Sequence, residues 1–281
     1  MARCSITLLG SMQVNLDGRP LHALESGKVR CLLAYLAVES EQAHERERLA
    51  GLFWPEMSEA QSRHNLSQSL HNLRQALGEE DKAGSLSAQP GSAASYLLVT
   101  PHTVQFNPHS EAWLDVCEFD IRIAAVRQHA HRRLETCGQC ARLLQEAERL
   151  YQGDFLAGVS LRGCQAFEEW ALVWRERLRR QLCEAFADLV TYYEGRDELR
   201  SSLELTERWV HVDPLNEAAQ RRLMRLLALD GQRTQALARY TGFSKILAAE
   251  LGVEPSRESQ QLYQRILAEE SAQTNLPGMP G

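Results

Sequence analysis

A chain of 281 residues with 44% hydrophobic and 24% charged residues can bury a sizeable core, and its length allows one to three domains, with two the most comfortable count. No apolar run approaches a bilayer span, and the start, MARCSITLLG, lacks the apolar region and cleavage site of a secretory signal, so a cytoplasmic protein is expected. The formal net charge of −6 argues against a uniformly basic nucleic-acid binder, and the seven scattered cysteines are expected to be thiols.

Taken in order, residues 6–9 and 12–16 read as short strands, and Asp17-Gly18 is a dipeptide favoured in tight hairpin turns. Over residues 28–38, Val29, Leu32, Leu33 and Leu36 recur at helical spacing, which predicts a first, well-buried helix. A second helix over about 46–53 is stopped by Trp54-Pro55, because proline cannot continue a helix and biases its predecessor away from helical geometry.

A third helix is predicted over residues 58–77. Ser58 and Gln61 have the capping-box spacing, and Leu66, Leu70, Leu73 and Leu77 fall on one side as a single apolar seam. The opposite side carries Gln61, His64, Gln68, His71 and Gln75, flanked by Asn65 and Asn72, with Arg63 and Arg74 nearer the seam. Amides, imidazoles and guanidiniums match base edges and phosphates, whereas a solvated helix face is usually built from Glu and Lys pairs. The same residues, isolated from context, also fit an ordinary solvated face. Charge distribution bears on the choice, since the only acids between Ala60 and Ser110 are Glu79, Glu80 and Asp81, while the segment from Glu39 to Glu59 inclusive carries six glutamates. A local field decides DNA contact, so an acidic protein can bind if its acids are kept off that face.

Residues 84–95 form a Gly/Ser/Ala/Pro loop, and β-prone runs at 96–100 and 104–106 are separated by Pro101-His102-Thr103. The order small sheet, three helices, hairpin is the plan of a winged helix-turn-helix, whose third helix enters the major groove. On this plan His64, Gln68, His71 and Asn72 are the candidates for base edges, and Arg63, Ser69, Arg74 and the wing residue His102 for phosphate, with Asn65 on the flank.

The motifs LLG at 8–10, GKVRCLLAYLAV at 27–38, RLAGLFWPE at 48–56 and RHNLSQSLHNLRQALG at 63–78 resemble the OmpR-like winged helix of SARP-type bacterial transcriptional activators. In that pattern an aromatic-Pro-acid turn links the second helix to the recognition helix, and a Leu-Arg pair, here Leu73-Arg74, precedes its end. His71 and Asn72 stand where arginines are common in the wider family.

The second half reads as helical throughout, with helices over 115–130 and 143–151 and a long one over about 165–194. Two further helix pairs follow, punctuated by Gly195 and Gly231, 36 residues apart, and by Pro214 and Pro255, 41 apart, close to the period of helix-turn-helix solenoids. LYQGDFLAG at 150–158, FEEW at 167–170 and the run at 213–240 are similar to the bacterial transcriptional activator domain that accompanies this winged helix. The expected fold is mainly α: a winged helix with a small sheet and hairpin wing over 1–108, a tetratricopeptide-like array over 109–270, and a linker or disordered tail over 271–281. Larger members of the family continue past a similar NLP segment into a nucleotide-switch domain, which these 281 residues do not contain, so the expectation is either a stand-alone short regulator or one whose sensory half is missing. Trp170, Trp174, Tyr192 and Trp209 could line a concave array, although aromatics at this spacing more often form core.

His129, His131, Cys137 and Cys140 place four potential zinc ligands within twelve residues. Against that reading, the His-to-Cys spacing is unusual and two cysteines at i and i+3 serve equally as packing residues, so no metal is assigned and these four are the set to test. No phosphate loop or complete zincin motif occurs, and neither catalysis nor a cofactor is expected. The expected partners are double-stranded DNA and RNA polymerase, with homodimerisation and without a membrane. The competing reading is a protein-interaction scaffold in which the winged helix is only structural.

Overall fold

The computed structural model describes residues 4–21, 26–79, 95–130 and 133–274. They fall into two compact units, one made of residues up to 124 together with 149–178, the other of 125–148 with the residues from 179 onward. Nearly all of the expected loop over 84–95, and the tail from 275, lie outside the described residues; 271–274 are the last turn of a helix.

In the first unit, β1 (Cys4–Thr7) and β2 (Gln13–Leu16) pair antiparallel with Cys4 opposite Leu16. Asp17 and Gly18 turn the chain with φ of 51° and 76°, the left-handed region that this dipeptide tolerates, into β3 (Arg19–Pro20). The helix α1 (Gly27–Val38) is buried on nearly every side, from Val29 and through Cys31 to Ala37, as a helix inside a core must be. β4 (His44–Glu45) leads directly into α2 (Arg46–Phe53), which ends at the buried Trp54 before Pro55. Then come α3 (Glu59–Ala76) and the hairpin β5 (Leu97–Val99) and β6 (Thr103–Phe106), with β4 pairing on β6 to give the order β4-β6-β5. β7 (Ala112–Leu114) returns to lie parallel to β1, Ile6 opposite Leu114, completing a sheet in the order β3-β2-β1-β7.

Asp115 opens α4 (Asp115–Gln128) and is 2% exposed. Its carboxylate accepts the backbone N–H groups of Leu8, Leu9 and Val116 at 2.8–2.9 Å, so the end of β1 and the start of α4 share one acceptor. Burial holds this carboxyl above its ordinary value although those donors favour its charge. After α5 (Gly138–Leu150), the segment around Phe155 bridges back to Leu9, and the early turns of α6 (Gln165–Glu194) bring an aromatic cluster onto α1 and α2. Trp170 lies 4.9 Å from Tyr35 and 5.6 Å from Phe155, and Phe167 lies 5.5 Å from Phe53, between ring centroids. The indole N–H groups of Trp170 and Trp174 both donate to Glu39 Oε1, at 2.8 and 3.1 Å. These two tryptophans therefore pack within the first unit rather than line an open array.

The second unit is helical. α5 begins five residues before the predicted 143 and buries Cys140, Ala141, Leu144, Ala147 and Glu148, one stripe at i, i+1, i+4, i+7 and i+8. Beyond α6, α7 (Leu199–Val212), α8 (Glu217–Leu229), α9 (Arg233–Leu251) and α10 (Arg257–Thr274) pack each on the next, in the manner of a tetratricopeptide-like array. Asn216 caps α8 by accepting the Ala219 N–H at 3.1 Å, and Gly252, with φ of 66°, ends α9 in the left-handed conformation. Ala236 and Leu247 are core, whereas Leu251 is 57% exposed.

Glu217 on α8 holds the start of α10. Its carboxylate accepts the Ser256 N–H at 2.9 Å and the hydroxyls of Ser256 and Ser259 at 2.5 and 2.6 Å. Burial opposes its ionisation, but those donors and Arg221 outweigh it and hold the carboxyl below its ordinary value of 4.5. A carboxyl with a lowered folded value stabilises the fold above its unfolded value and loses that contribution as pH falls through the folded one. Glu217→Gln is therefore expected to lower the thermal midpoint at pH 7, with the difference from wild type shrinking as pH is taken below about 4.5; melting curves across that range check it.

Candidate nucleic-acid interface

The third helix owes its place to its leucines. Leu66, Leu70, Leu73 and Leu77 are at most 3% exposed, and their seam packs α3 onto α1 and α2. Ser58 occupies the N-cap position, but its side chain makes no capping bond and Gln61 stays exposed, so the predicted capping box does not form. The helix start is open to water, which satisfies orphan N–H groups as well as a side chain does. Ser62 takes up the local bonds instead, its N–H donating to Ser58 O at 2.8 Å and its hydroxyl to Glu59 O at 3.0 Å.

Opposite the seam, Gln61, His64, Gln68, His71, Asn72 and Gln75 are exposed, and Asn65 is half-buried. Gln68 Nε2 donates to Asn72 Oδ1 at 3.0 Å, one turn along, which orients both amides before any ligand arrives. Arg63 is exposed but occupied: it pairs with Glu47 at 2.8 Å and with Glu59. Ser69 does not join this face. At 7% exposure it lies beside Leu70 on the seam side, because three residues from Leu66 is nearly a full helical turn.

Arg74 and Glu79 tie the helix to the wing. Arg74 Nε lies 3.6 Å from Glu79 Oε2. Glu79 Oε1 accepts the Leu97 N–H and the Ser95 hydroxyl at 3.1 Å and also the Tyr96 N–H, at the entry to β5. Arg74, predicted as a phosphate contact, is thus half-exposed and engaged with the hairpin anchor.

Between α3 and the wing runs a groove of about 690 Å³ bordered by Arg46, Glu47, Arg63, Ser67, Pro101 and His102. His102 is exposed at the wing tip, where the Thr100 hydroxyl oxygen accepts the N–H groups of His102 and Thr103 at 3.2 and 2.8 Å. Sequence reasoning missed Arg46 and Ser67. Arg46 Nη2 donates to Ser67 Oγ at 2.8 Å, and its N–H donates to His102 O at 2.9 Å. Ser67, exposed and one turn from Arg63, was a readable signal; Arg46 was not, since only the pairing of β4 with β6 carries it to the wing.

Outside this face, the predicted His/Cys set is partly gathered. The ligand atoms of His129, just past α4, Cys137, just before α5, and Cys140, in its first turn, all lie within 4.8 Å of one another; His131 lies outside the described residues. None of the seven cysteines is in a disulfide. Among the described residues, no helix is long and apolar enough to cross a membrane.

Glu79 is the joint on which the wing's placement rests. Glu79→Ala leaves the N–H groups of Tyr96 and Leu97 without their acceptor, an expected local loss of about 1–3 kcal/mol. Hydrogen exchange checks it: those two amides should lose protection while amides of α1 keep theirs.

Residues 114–267 match the family described as bacterial transcriptional activator domain. Over 134 residues the chain is 34% identical to the Regulatory protein AfsR of Streptomyces coelicolor, a match covering 48% of this chain and 13% of that relative's length. The solved structure of Mycobacterium tuberculosis EmbR, in complex with a low affinity phosphopeptide, superposes with a TM-score of 0.68 at 23% identity, over 97% of this chain and 68% of that one. That likeness is one of fold and agrees with a winged helix followed by a helical domain. With more than half of its length in the family match, the chain belongs to the bacterial transcriptional activator domain family and is a transcriptional regulator of the SARP type.

Proposed function

We propose that this regulator binds promoter DNA in a sequence-specific manner, with α3 in the major groove and the hairpin beside it on the backbone. The observation that carries the proposal is the outer face of α3, which combines exposed His64, Gln68, His71 and Asn72 with a fully buried leucine seam and has no acid between Ala60 and Ala76. Paired amides are suited to the donor and acceptor of adenine, and imidazoles to purine edges. Arg63, Arg46 and His102 border the groove as donors for phosphate, beside Glu45 and Glu47. Ser69 is buried, and its assignment to phosphate is dropped.

Affinity for one site is expected to be modest. Arg63 must exchange Glu47 and Glu59 for phosphate, and few other cations face the groove, so counterion release is small. An exposed ion pair contributes about 0–1 kcal/mol, so the exchange is feasible. Binding to adjacent repeats by a homodimer supplies what one copy lacks. In this reading residues 1–108 hold DNA, 109–270 dimerise or contact RNA polymerase, 271–281 serve as a linker, and the protein acts in the cytoplasm without catalysis or a cofactor. The second reading, a protein-interaction scaffold, draws on the tetratricopeptide-like array.

Gel shifts with genomic fragments at low salt separate the two; if no fragment is retarded where phosphate contacts are strongest, the scaffold reading replaces this one. Given a site, Arg63→Ala should weaken specific and random DNA alike and lower the salt slope by about one. Asn72→Ala should instead relax preference at one base step, costing about 1–3 kcal/mol on the preferred sequence only. Equal losses on both kinds of DNA for both variants would defeat that division of roles.

A further inference from the structure

We propose that His129, Cys137 and Cys140 bind a zinc ion that staples the end of α4 to the start of α5. The three come from two local structures, the end of α4 and the start of α5. His129 closes α4, its N–H donating to Ala125 O at 3.0 Å; Cys137 stands just before α5; Cys140 sits in the first turn of α5, fully buried. A single turn of 3-10 helix, Leu134–Thr136, folds the connection back so that imidazole and thiols converge.

Packing accounts for Cys140 alone, because a buried thiol behaves as a small hydrophobe. His129 and Cys137 are half-exposed, so core packing does not require them there; the Cys137 and Cys140 thiols hydrogen-bond each other and the imidazole lies within 4.8 Å of both. In tetrahedral zinc geometry, with Zn–S of about 2.3 Å and Zn–N of about 2.0–2.1 Å, neighbouring ligand atoms stand about 3.5–3.8 Å apart. The observed separations, all within 4.8 Å, need a contraction of at most about 1.3 Å. One nitrogen and two sulfurs, with no carboxylate, suit zinc rather than calcium or magnesium. The backbone N–H groups of Cys140 and Gln139 also face the Cys137 sulfur, the outer-shell donors a metal-bound thiolate uses. Among the described residues no other histidine, cysteine or carboxylate trio gathers in this way. The half-exposed side gives the ion its entry path and leaves the fourth position to solvent.

The test uses the full chain, kept reduced and purified without added metal. Zinc content is measured first, and cobalt(II) is then titrated as a spectroscopic probe, with zinc displacing it. One ion per chain is expected, with the visible bands of a tetrahedral site and a sulfur-to-cobalt charge-transfer band. Cys137→Ser should roughly halve that band per bound cobalt, and both Cys137→Ser and His129→Ala should weaken zinc by at least the ~10–100-fold that even outer-shell changes cost. Cys117→Ser, an exposed thiol outside the trio, should leave affinity and spectrum as in wild type. The proposal is overturned if reduced wild type shows no sulfur-to-cobalt band, or if either ligand variant binds zinc as tightly as wild type. It is equally overturned if Cys137 and Cys140 are recovered as a disulfide that accepts no metal after reduction.

Discussion

Burial of the leucine seam of α3 is the constraint on which the rest of the first unit turns. Four leucines on one side commit the helix to α1 and α2, and an α-helix that fixes one face also fixes the other. The polar face therefore has no freedom to rotate away from solvent. Truncating any one of these leucines would cost about 2–5 kcal/mol, several times what an exposed ion pair on the outer face contributes, so the presentation of Gln68 and Asn72 is decided by packing from behind. Glu79 extends this logic to the wing, since its single carboxylate connects Arg74 at the helix end to the strand entry at Tyr96 and Leu97.

The outer surface shows a different balance. An acidic chain keeps acids off the outer turns of α3 but places Glu47 and Glu59 against Arg63 at the rim. Held in this way, the guanidinium is positioned without being spent, and it contributes less to non-specific attraction than a bare arginine would. If the proposed DNA binding holds, such damping favours specificity, because discrimination depends on the ratio of specific to non-specific binding rather than on either alone.

The helices were largely legible in the sequence because their signals are local. α1, α2, α3 and α6 stand within a residue of where apolar spacing and Trp54-Pro55 placed them. Legibility failed where long-range pairing decides. The two-residue strand β4 has no periodicity to read and exists only because β6 is beside it, which is also why Arg46 escaped notice. β7 becomes a strand through its parallel register with β1, more than a hundred residues away. For the candidate site, helical phase identified the exposed face but not the engagement of individual side chains: Ser69 fell on the wrong side of the seam, Arg74 reaches Glu79 beyond the helix end, and Arg63 has a second partner, Glu47 on α2, that helical spacing does not reveal. The His/Cys spacing was unusual on paper because the one-turn helix that folds it together carries no strong signal of its own.

Asp115 lies one residue inside the family match that begins at 114, yet its carboxylate terminates the backbone of β1 at Leu8 and Leu9. The segment recognised as an activator domain thus supplies part of the winged helix's own floor: Leu114 at the end of β7, this carboxylate, and the Phe167 and Trp170 rings. A fragment cut between the hairpin and Asp115 would leave β1 with a raw edge and two buried donors unanswered. Exchange of halves between such regulators, by recombination or at the bench, therefore has to carry a matched joint, because a crossover at the apparent family border would pair Leu8 and Leu9 of one parent with the Asp115 of another.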